Sequence, residues 1–342
     1  MYRHYWDNMM TLPINQILCG DCFDLIKTLP NASVQLVITS PPYFQQRDYG
    51  GGIGNESSLE AYLKKLVMLF GECLRVIKPT GSIIFNLGDK YENSNLLLVP
   101  YRFAIAIAEA YPQARLVNTI TWVKRNPTPR QFKRRLVNST EPFFHFVKSD
   151  SYFYNHTAFM AQKSAPKAVK NGHKDVGKKY FELIASSDLS TEQKIQAQQA
   201  LYEVIQEVQQ GKIESFRMKI KGIHSEPFGG QAGGRQIQLD KNGFTIIRLY
   251  GEPLKRDVIE TAVESLKGNS HPAIYPTSIV EEFLHLLTQT GDVVLDPFMG
   301  SGSTAVSCKR LGRDYIGFEL NPDYCSEAEE RINNLVVNLP LN

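Results

Sequence analysis

Asp292-Val-Val-Leu-Asp-Pro-Phe-Met-Gly-Ser-Gly-Ser-Thr304 decides the fold. Its first four residues read as a short apolar strand. Asp296 to Thr304 is a glycine-rich turn, and Ala305 to Leu311 continues as a helix. Tyr315-Ile-Gly-Phe318 is a second strand, ending in Glu319-Leu-Asn-Pro-Asp323. A strand, a glycine-rich turn, a helix and an acid-terminated strand make a nucleotide-type βαβ unit. Asp296 and Glu319 lie 23 positions apart, close to the ~20 between such a turn and a ribose-binding acid. Gly300 and Gly302 let a ligand approach the backbone, and Glu319 can accept from both ribose hydroxyls. The turn lacks a P-loop lysine and the GxGxxG spacing of dinucleotide binders. It therefore suits an adenosine ligand without a polyphosphate.

Far upstream, Ser33-Val-Gln-Leu-Val-Ile38 reads as a buried parallel strand. It runs into Thr39-Ser-Pro-Pro-Tyr43, where two prolines fix a rigid corner. That corner stands at a strand's C-terminal end, where open α/β sheets bind ligands. Phe44 to Asn55 follows as a polar, glycine-rich loop, either able to close over a substrate or a passive linker.

Around these two corners strands and helices alternate. Ile14–Cys19 is an expected strand, followed by Gly20-Asp21-Cys22 and a short helix to Leu29. A helix from Ser58 to Lys78, ended by Pro79-Thr-Gly81, precedes a strand over Ser82–Leu87 and a helix over Val99–Tyr111. Leu116–Val123 and Glu141–Val147 have no helix between them and are expected to pair antiparallel. The pattern predicts an α/β fold with a mainly parallel sheet. Residues 155–268 lose the alternation. Within them Ser190 and Gln193 form a capping box for a helix that Gly211 ends, and Phe228–Arg235 is glycine-rich. Three parts are expected: 1–154, an inserted recognition region at 155–268, and 269–342.

Composition fits a soluble globular chain, with 42% hydrophobic and 21% charged residues among 342. No apolar run approaches a membrane span, and the N-terminus has no signal-peptide core. The five cysteines are scattered like reduced cytosolic thiols. The Cys19/Cys22 pair lacks the second pair a zinc site needs, so no metal is expected. Charge is uneven. Lys124 to Tyr180 holds thirteen Lys/Arg and three Asp/Glu, against 25 and 32 elsewhere, for a total of +3. The densest part, Lys124 to Arg135, has six cations in twelve residues and no acid. A basic patch on a mildly acidic chain points to a polyanion partner. Lys124, Arg125, Arg130, Lys133, Arg134 and Arg135 are its candidate phosphate contacts.

Asp296–Thr304 resembles the S-adenosylmethionine loop of DNA amino-methyltransferases, and Ser40-Pro-Pro-Tyr43 resembles their catalytic motif. The order (catalytic motif, middle region, cofactor loop) is similar to the permuted β group, over residues 14–155 and 270–335. The resemblance implies a Rossmann-like methyltransferase fold with a seven-stranded sheet. It implies S-adenosyl-L-methionine as cofactor, held by Asp296, Pro297, Phe298, Gly300, Ser301, Gly302, Ser303, Thr304, Glu319 and Asn321. His271-Pro272-Ala273 looks like the segment beside the methionine part. Gly20-Asp21-Cys22 looks like the turn around the adenine ring, with Asp21 accepting from its amino group.

Ser40, Pro41, Pro42 and Tyr43 are the implied catalytic residues. The Ser40 hydroxyl and Pro41 carbonyl accept from the exocyclic amino group of a flipped base, on which Tyr43 stacks. No covalent intermediate is needed. C5-cytosine chemistry would need a cysteine following proline, and none of the five does. Serine before Pro-Pro is commoner in N4-cytosine enzymes, so N4-cytosine is the expected target and N6-adenine the alternative. A non-catalytic DNA-binding protein and an RNA methyltransferase are the further readings. The implied partners are double-stranded DNA and a restriction endonuclease sharing the site without a stable complex. The implied setting is the bacterial or archaeal cytoplasm, with monomer and homodimer both open.

Overall fold

A computed structural model describes residues 12–47, 51–127, 134–155, 177–224, 234–249, 256–263 and 276–335. The chain divides into two compact units, Met1–Phe159 with Lys255–Asn342, and Met160–Leu254.

The first unit is built on an eight-stranded sheet. Its strands are β1 (Gln16–Cys19), β2 (Val34–Thr39), β3 (Ile77–Asn86), β6 (Arg115–Lys124), β7 (Thr140–Val147), β10 (Val258–Thr261), β11 (Val293–Asp296) and β12 (Asp314–Glu319). They lie in the order β1-β12-β11-β2-β3-β7-β6-β10. Only β7 runs antiparallel to its neighbours, β3 and β6. The expected hairpin therefore forms inside an otherwise parallel sheet. The sheet exceeds the expected seven strands by one. The extra strand, β10, pairs with β6 along Val258↔Thr121 to Thr261↔Lys124, and comes from sequence expected to belong to the middle region.

β2 is buried along its whole length, as a near-continuous apolar run in a central parallel strand should be. Val37 faces one core, with Phe70, Phe85 and Phe103. Leu36 and Ile38 face the other, with Ile279, Phe283 and Val306. Helices α2 (Leu59–Val76) and α3 (Val99–Ala110) supply the first face, and α7 (Thr277–Leu287), α8 (Ser303–Leu311) and α9 (Pro322–Asn333) the second. Ser58 caps α2, its hydroxyl accepting from the Ala61 N–H. The helix stops at Val76, two residues before its expected end, because Ile77 already pairs with Val34. Ser82 then pairs with Leu36, so Lys78-Pro-Thr-Gly81 bulges from the ladder. Proline is tolerated there because no ladder donor is required of it.

Short α1 (Cys22–Leu25) follows β1. A small hairpin, β4 (Tyr91–Glu92) and β5 (Asn95–Leu96), precedes α3. Asn93 and Ser94 between them both have positive φ, the geometry of a primed hairpin turn. The 44–55 loop, read as able to close over a substrate or as a passive linker, is held near both ends. Phe44 and Ile53 are buried, and the Gln45 N–H donates to the Gly54 carbonyl at 2.6 Å.

The second unit has its own core. It comprises α4 (Lys178–Ser186), α5 (Thr191–Gln209), β8 (Ser215–Ile220), α6 (Gly234–Asn242) and β9 (Phe244–Leu249), and α4, α5, β8 and β9 pack around buried Ile184, Leu201, Val204 and Ile220. The capping box of Ser190 and Gln193 forms. β8 and β9, which the sequence reading did not pick out, pair antiparallel. The missed signal is Phe216-Arg-Met-Lys-Ile220, a period-two alternation. Most of the Phe228–Arg235 loop lies outside the described residues. No helix among those described is long and apolar enough to cross a membrane.

Candidate active site

Parallel strands deliver their C-terminal ends to one edge of the sheet. β1 ends at Gly20-Asp21, β12 at Glu319, β11 at Asp296 and β2 at Thr39. β11 leads through α8 to β12 on one side, while β2 leads through α2 to β3 on the other. The corners after β11 and β2 thus flank a topological switch point. A cleft of about 1410 Å³ runs along this edge.

Asp21, Cys22, Pro297, Phe298, Gly300, Ser301, Ser303 and Glu319 line one part of it. Asp21 caps α1, Oδ1 accepting from the Phe23 N–H at 2.7 Å. The Glu319 carboxylate accepts from the Gly300 N–H at 2.8 Å and the Asn321 N–H at 2.9 Å. Burial raises its pKa against the pull of these backbone donors. Burial also pushes the Cys22 thiol up to about 12, so Cys22 offers a neutral surface.

Four residues expected at the cofactor do not line the cleft. Asp296 is 1% exposed and fully engaged. Oδ1 accepts from the Thr39 hydroxyl at 2.7 Å and the Phe298 N–H at 3.1 Å, and Oδ2 from the Thr304 hydroxyl at 2.6 Å. Thr304 is buried with it, and Gly302 packs within 3.1–3.6 Å of Ala328, measured from where a Cβ would stand. Asn321 caps α9 by accepting from the Asp323 N–H. These residues shape the turn from beneath. His271, Pro272 and Ala273 lie outside the described residues.

Ser40, Pro41, Pro42 and Tyr43 line the adjoining part. The Tyr62 hydroxyl donates to the Pro42 carbonyl at 2.9 Å. Among the described residues nothing donates to the Pro41 carbonyl. Ser40 Oγ stands 3.2 Å from Tyr43 Oη and 3.3 Å from Asn86 Oδ1. Tyr43 Oη donates to Asn86 Oδ1 at 2.7 Å and lies 3.0 Å from Glu141 Oε2. The Asn86 amide is oriented by donating from Nδ2 to the Pro142 carbonyl at 3.1 Å. Every neighbour behind Ser40 is thus an acceptor or has its proton committed elsewhere. The Ser40 proton turns inward, and its lone pairs face the cleft.

Neither Asn86 nor Glu141 was expected from sequence. The available signal was a polar side chain closing the apolar run Ile83-Ile-Phe-Asn86. The basic residues divide. Lys124 lines the cleft but is ion-paired with Glu141, and its ammonium stands 4.8 Å over the Trp122 ring. The Arg135 guanidinium lies 3.6 Å over the Tyr91 ring at the cleft wall. Arg125 and Arg134 are exposed outside the lining. Arg130 and Lys133 lie outside the described residues.

A mostly parallel sheet, a glycine turn facing an acid, and a rigid Pro-Pro corner across the switch point define a class, the Rossmann-like methyltransferases. Within it the motif order is permuted. The family model for DNA methylases matches residues 34–330, and the chain belongs to that family, the N6/N4 DNA methylases. The Type II methyltransferase M.Cfr9I of Citrobacter freundii is 26% identical over 92% of this chain and 86% of its own length. M.SmaI of Serratia marcescens is 25% identical over 93% and 90%. Among solved structures, the PvuII DNA methyltransferase (cytosine-N4-specific) superposes with a TM-score of 0.58 at 17% identity, over 94% of this chain and 87% of its own. A Thermus thermophilus protein solved in complex with S-adenosyl-L-methionine gives 0.52 at 19% identity over 94% and 98%. These structural likenesses concern the fold.

Proposed function

We propose that the protein methylates the N4 amino group of a cytosine flipped from duplex DNA, with S-adenosyl-L-methionine as donor. The relatives are named Type II methyltransferases, which supports a modification enzyme of a restriction–modification pair acting on chromosomal DNA in the cytoplasm. The observation that carries the reading is the orientation of Ser40 by an acceptor-rich cluster beside an adenosine-suited pocket.

The cofactor fits the residues present. Residues 20–23, 297–301, 303, 319, 320 and 324 line their part of the cleft, which Arg47 also lines. They present the Asp21 and Glu319 carboxylates, suited to a ligand rich in donors. Glu319 would take the ribose hydroxyls and Asp21 the adenine amino group. Bound there, S-adenosyl-L-methionine supplies a methyl group on a positively charged sulfur. The chain does the rest by orientation. An exocyclic amine conjugated with its ring is a poor nucleophile. Ser40 Oγ and the Pro41 carbonyl accept hydrogen bonds from its two N–H groups, pyramidalising the nitrogen and exposing its lone pair, and one of these protons is released to solvent once the methyl group has moved. Pro41-Pro42 and the Tyr62 bond hold these acceptors still, so little reorganisation is needed at the transition state.

The same acceptors would serve the amino group of adenine. Serine at position 40 supports cytosine, and the PvuII neighbour shows that this fold accommodates a cytosine-N4-specific enzyme. The second unit, Met160–Leu254, is assigned to sequence recognition, and β10, although within the expected 155–268, belongs to the sheet of the first unit. The test is nucleoside mass spectrometry of unmethylated DNA incubated with the protein and S-adenosyl-L-methionine. N4-methylcytosine is expected. N6-methyladenine would move the target to adenine, and no methylated base on any duplex would reject the reading.

Glu319→Gln is expected to weaken S-adenosyl-L-methionine binding by about 10- to 100-fold, through the loss of charge-assisted hydrogen bonds. Burial raises the Glu319 pKa and the ionised form is the better acceptor. Affinity should therefore fall with falling pH from a higher pH than an ordinary carboxylate would give. Calorimetric titration across a pH series, wild type against variant, reads both effects. Gly88→Ala would set a methyl group 2.4 Å from Tyr43 Cε2. Displacing that ring should lower the single-turnover rate by roughly 10-fold or more, with cofactor affinity unchanged.

A further inference from the structure

We propose that Leu136 is the side chain that enters the DNA base stack when the target base leaves it. The inference rests on reading the cleft as a DNA methyltransferase site. Leu136 is 90% exposed, the most exposed large hydrophobic residue among those described, and Val137 beside it is 37% exposed. A single exposed leucine is ordinary on a protein surface. Three observations set this one apart. Both residues line the same cleft as Ser40 and Tyr43. Their segment is tethered there, because the preceding Arg135 guanidinium lies 3.6 Å over the ring of Tyr91. They also directly follow the most cationic stretch of the chain, Lys124 to Arg135, with six basic residues in twelve.

These features together describe a duplex-binding edge with an apolar tip. The exposed Arg125 and Arg134 suit the phosphate backbone, which positions a protein on the duplex without reading sequence. A base rotated out of the helix leaves an apolar slot between the two flanking base pairs. Proteins that unstack DNA fill such slots with leucine-like wedges. In sequence, Leu136-Val137 is flanked by the charged Arg134 and Arg135 and the polar Asn138 and Ser139. Duplex DNA matches both the charge and the shape. Filling the slot would hold the strand open while the base stays in the cleft.

The test uses the full chain and oligonucleotide duplexes carrying the site mapped on methylated plasmid DNA. One duplex is fully paired, and the other places an abasic residue opposite the target base. Leu136→Ala should lose about 10- to 100-fold in kcat/KM on the paired duplex, the equivalent of one buried leucine side chain. On the abasic duplex wild type and variant should agree within about threefold, because unpairing is already relieved there. Leu136→Met should keep most activity on both. Melting temperatures should match, since a side chain 90% exposed contributes little to the core of the free protein. An unchanged rate on the paired duplex, or an equal loss on both, overturns the proposal. A wild-type chain that methylates neither duplex rejects the reading of the cleft itself, and the wedge with it.

Discussion

Ser40→Ala is expected to lower the single-turnover rate of methyl transfer by about 100- to 1000-fold, the usual effect of removing one preorganised hydrogen-bonding group from a transition-state site. The hydroxyl makes its bonds within the site, 3.2 Å from Tyr43 Oη and 3.3 Å from Asn86 Oδ1, and holds up no core element. Stability and S-adenosyl-L-methionine affinity should therefore stay near wild type. Rapid-quench kinetics with excess enzyme, alongside calorimetric titration of the cofactor, separate the two. An Asn86→Asp variant sharpens the point. A carboxylate there still accepts from Ser40 and Tyr43, but it has no amide donor for the Pro142 carbonyl, so the bond that orients the group is lost although its shape is kept. The expected outcome is a large rate loss without loss of fold. Full activity in both variants would place the acceptor elsewhere.

Asp296→Ala is expected to destabilise the fold by about 3–5 kcal/mol, because it strands several buried polar groups at once. Thr39 closes β2, Thr304 opens α8 and Phe298 lies in the turn between them and β11. All three donate to one carboxylate, which clamps the two corners of the site together. In a domain of this size the melting temperature should fall by roughly 10 °C or more.

The pH dependence has a definite sign. Burial raises the Asp296 pKa to about 6, against the lowering effect of its hydrogen bonds. A carboxyl whose pKa is higher folded than unfolded stabilises the fold fully below its unfolded value. That contribution is lost as pH rises through the folded value. Wild type should thus gain stability relative to Asp296→Asn as pH falls from 7 towards 4. Paired denaturant melts across that range check it, and a constant difference between the two proteins would refute it.

Local pattern carried much of the fold. β2 was legible because a strand buried on both faces must be apolar throughout. The turn from β11 into α8 and the Ser190 cap follow from neighbours within a few residues, and the pairing of β6 with β7 from the lack of a helix between them. So did the candidate site in outline: two rigid corners at strand ends, one suited to adenosine and one to an amino group. The second unit shows the limit of such reading. Its β8 alternates Phe216, Met218 and Ile220 with Arg217 and Lys219, yet it is separated from its partner β9 by α6, so no turn signal joins the two.

Tertiary structure alone decided what each polar residue does. Asp296 meets Thr39 across 257 positions, Ser40 meets Asn86 across 46 and Tyr43 meets Glu141 across 98. From sequence Asp296 looked like a ligand contact and Lys124 a phosphate contact. Folding buries the first beneath the turn and commits the second to Glu141. Hydrophobic periodicity tells a chain which face to bury, and glycine and proline tell it where to turn. Hydrogen-bond partners in a buried site follow only from the packing of distant strands. The sequence by itself therefore determined the α/β framework and the place of the cleft, and the packing of the sheet determined which groups face a substrate and which hold the site together.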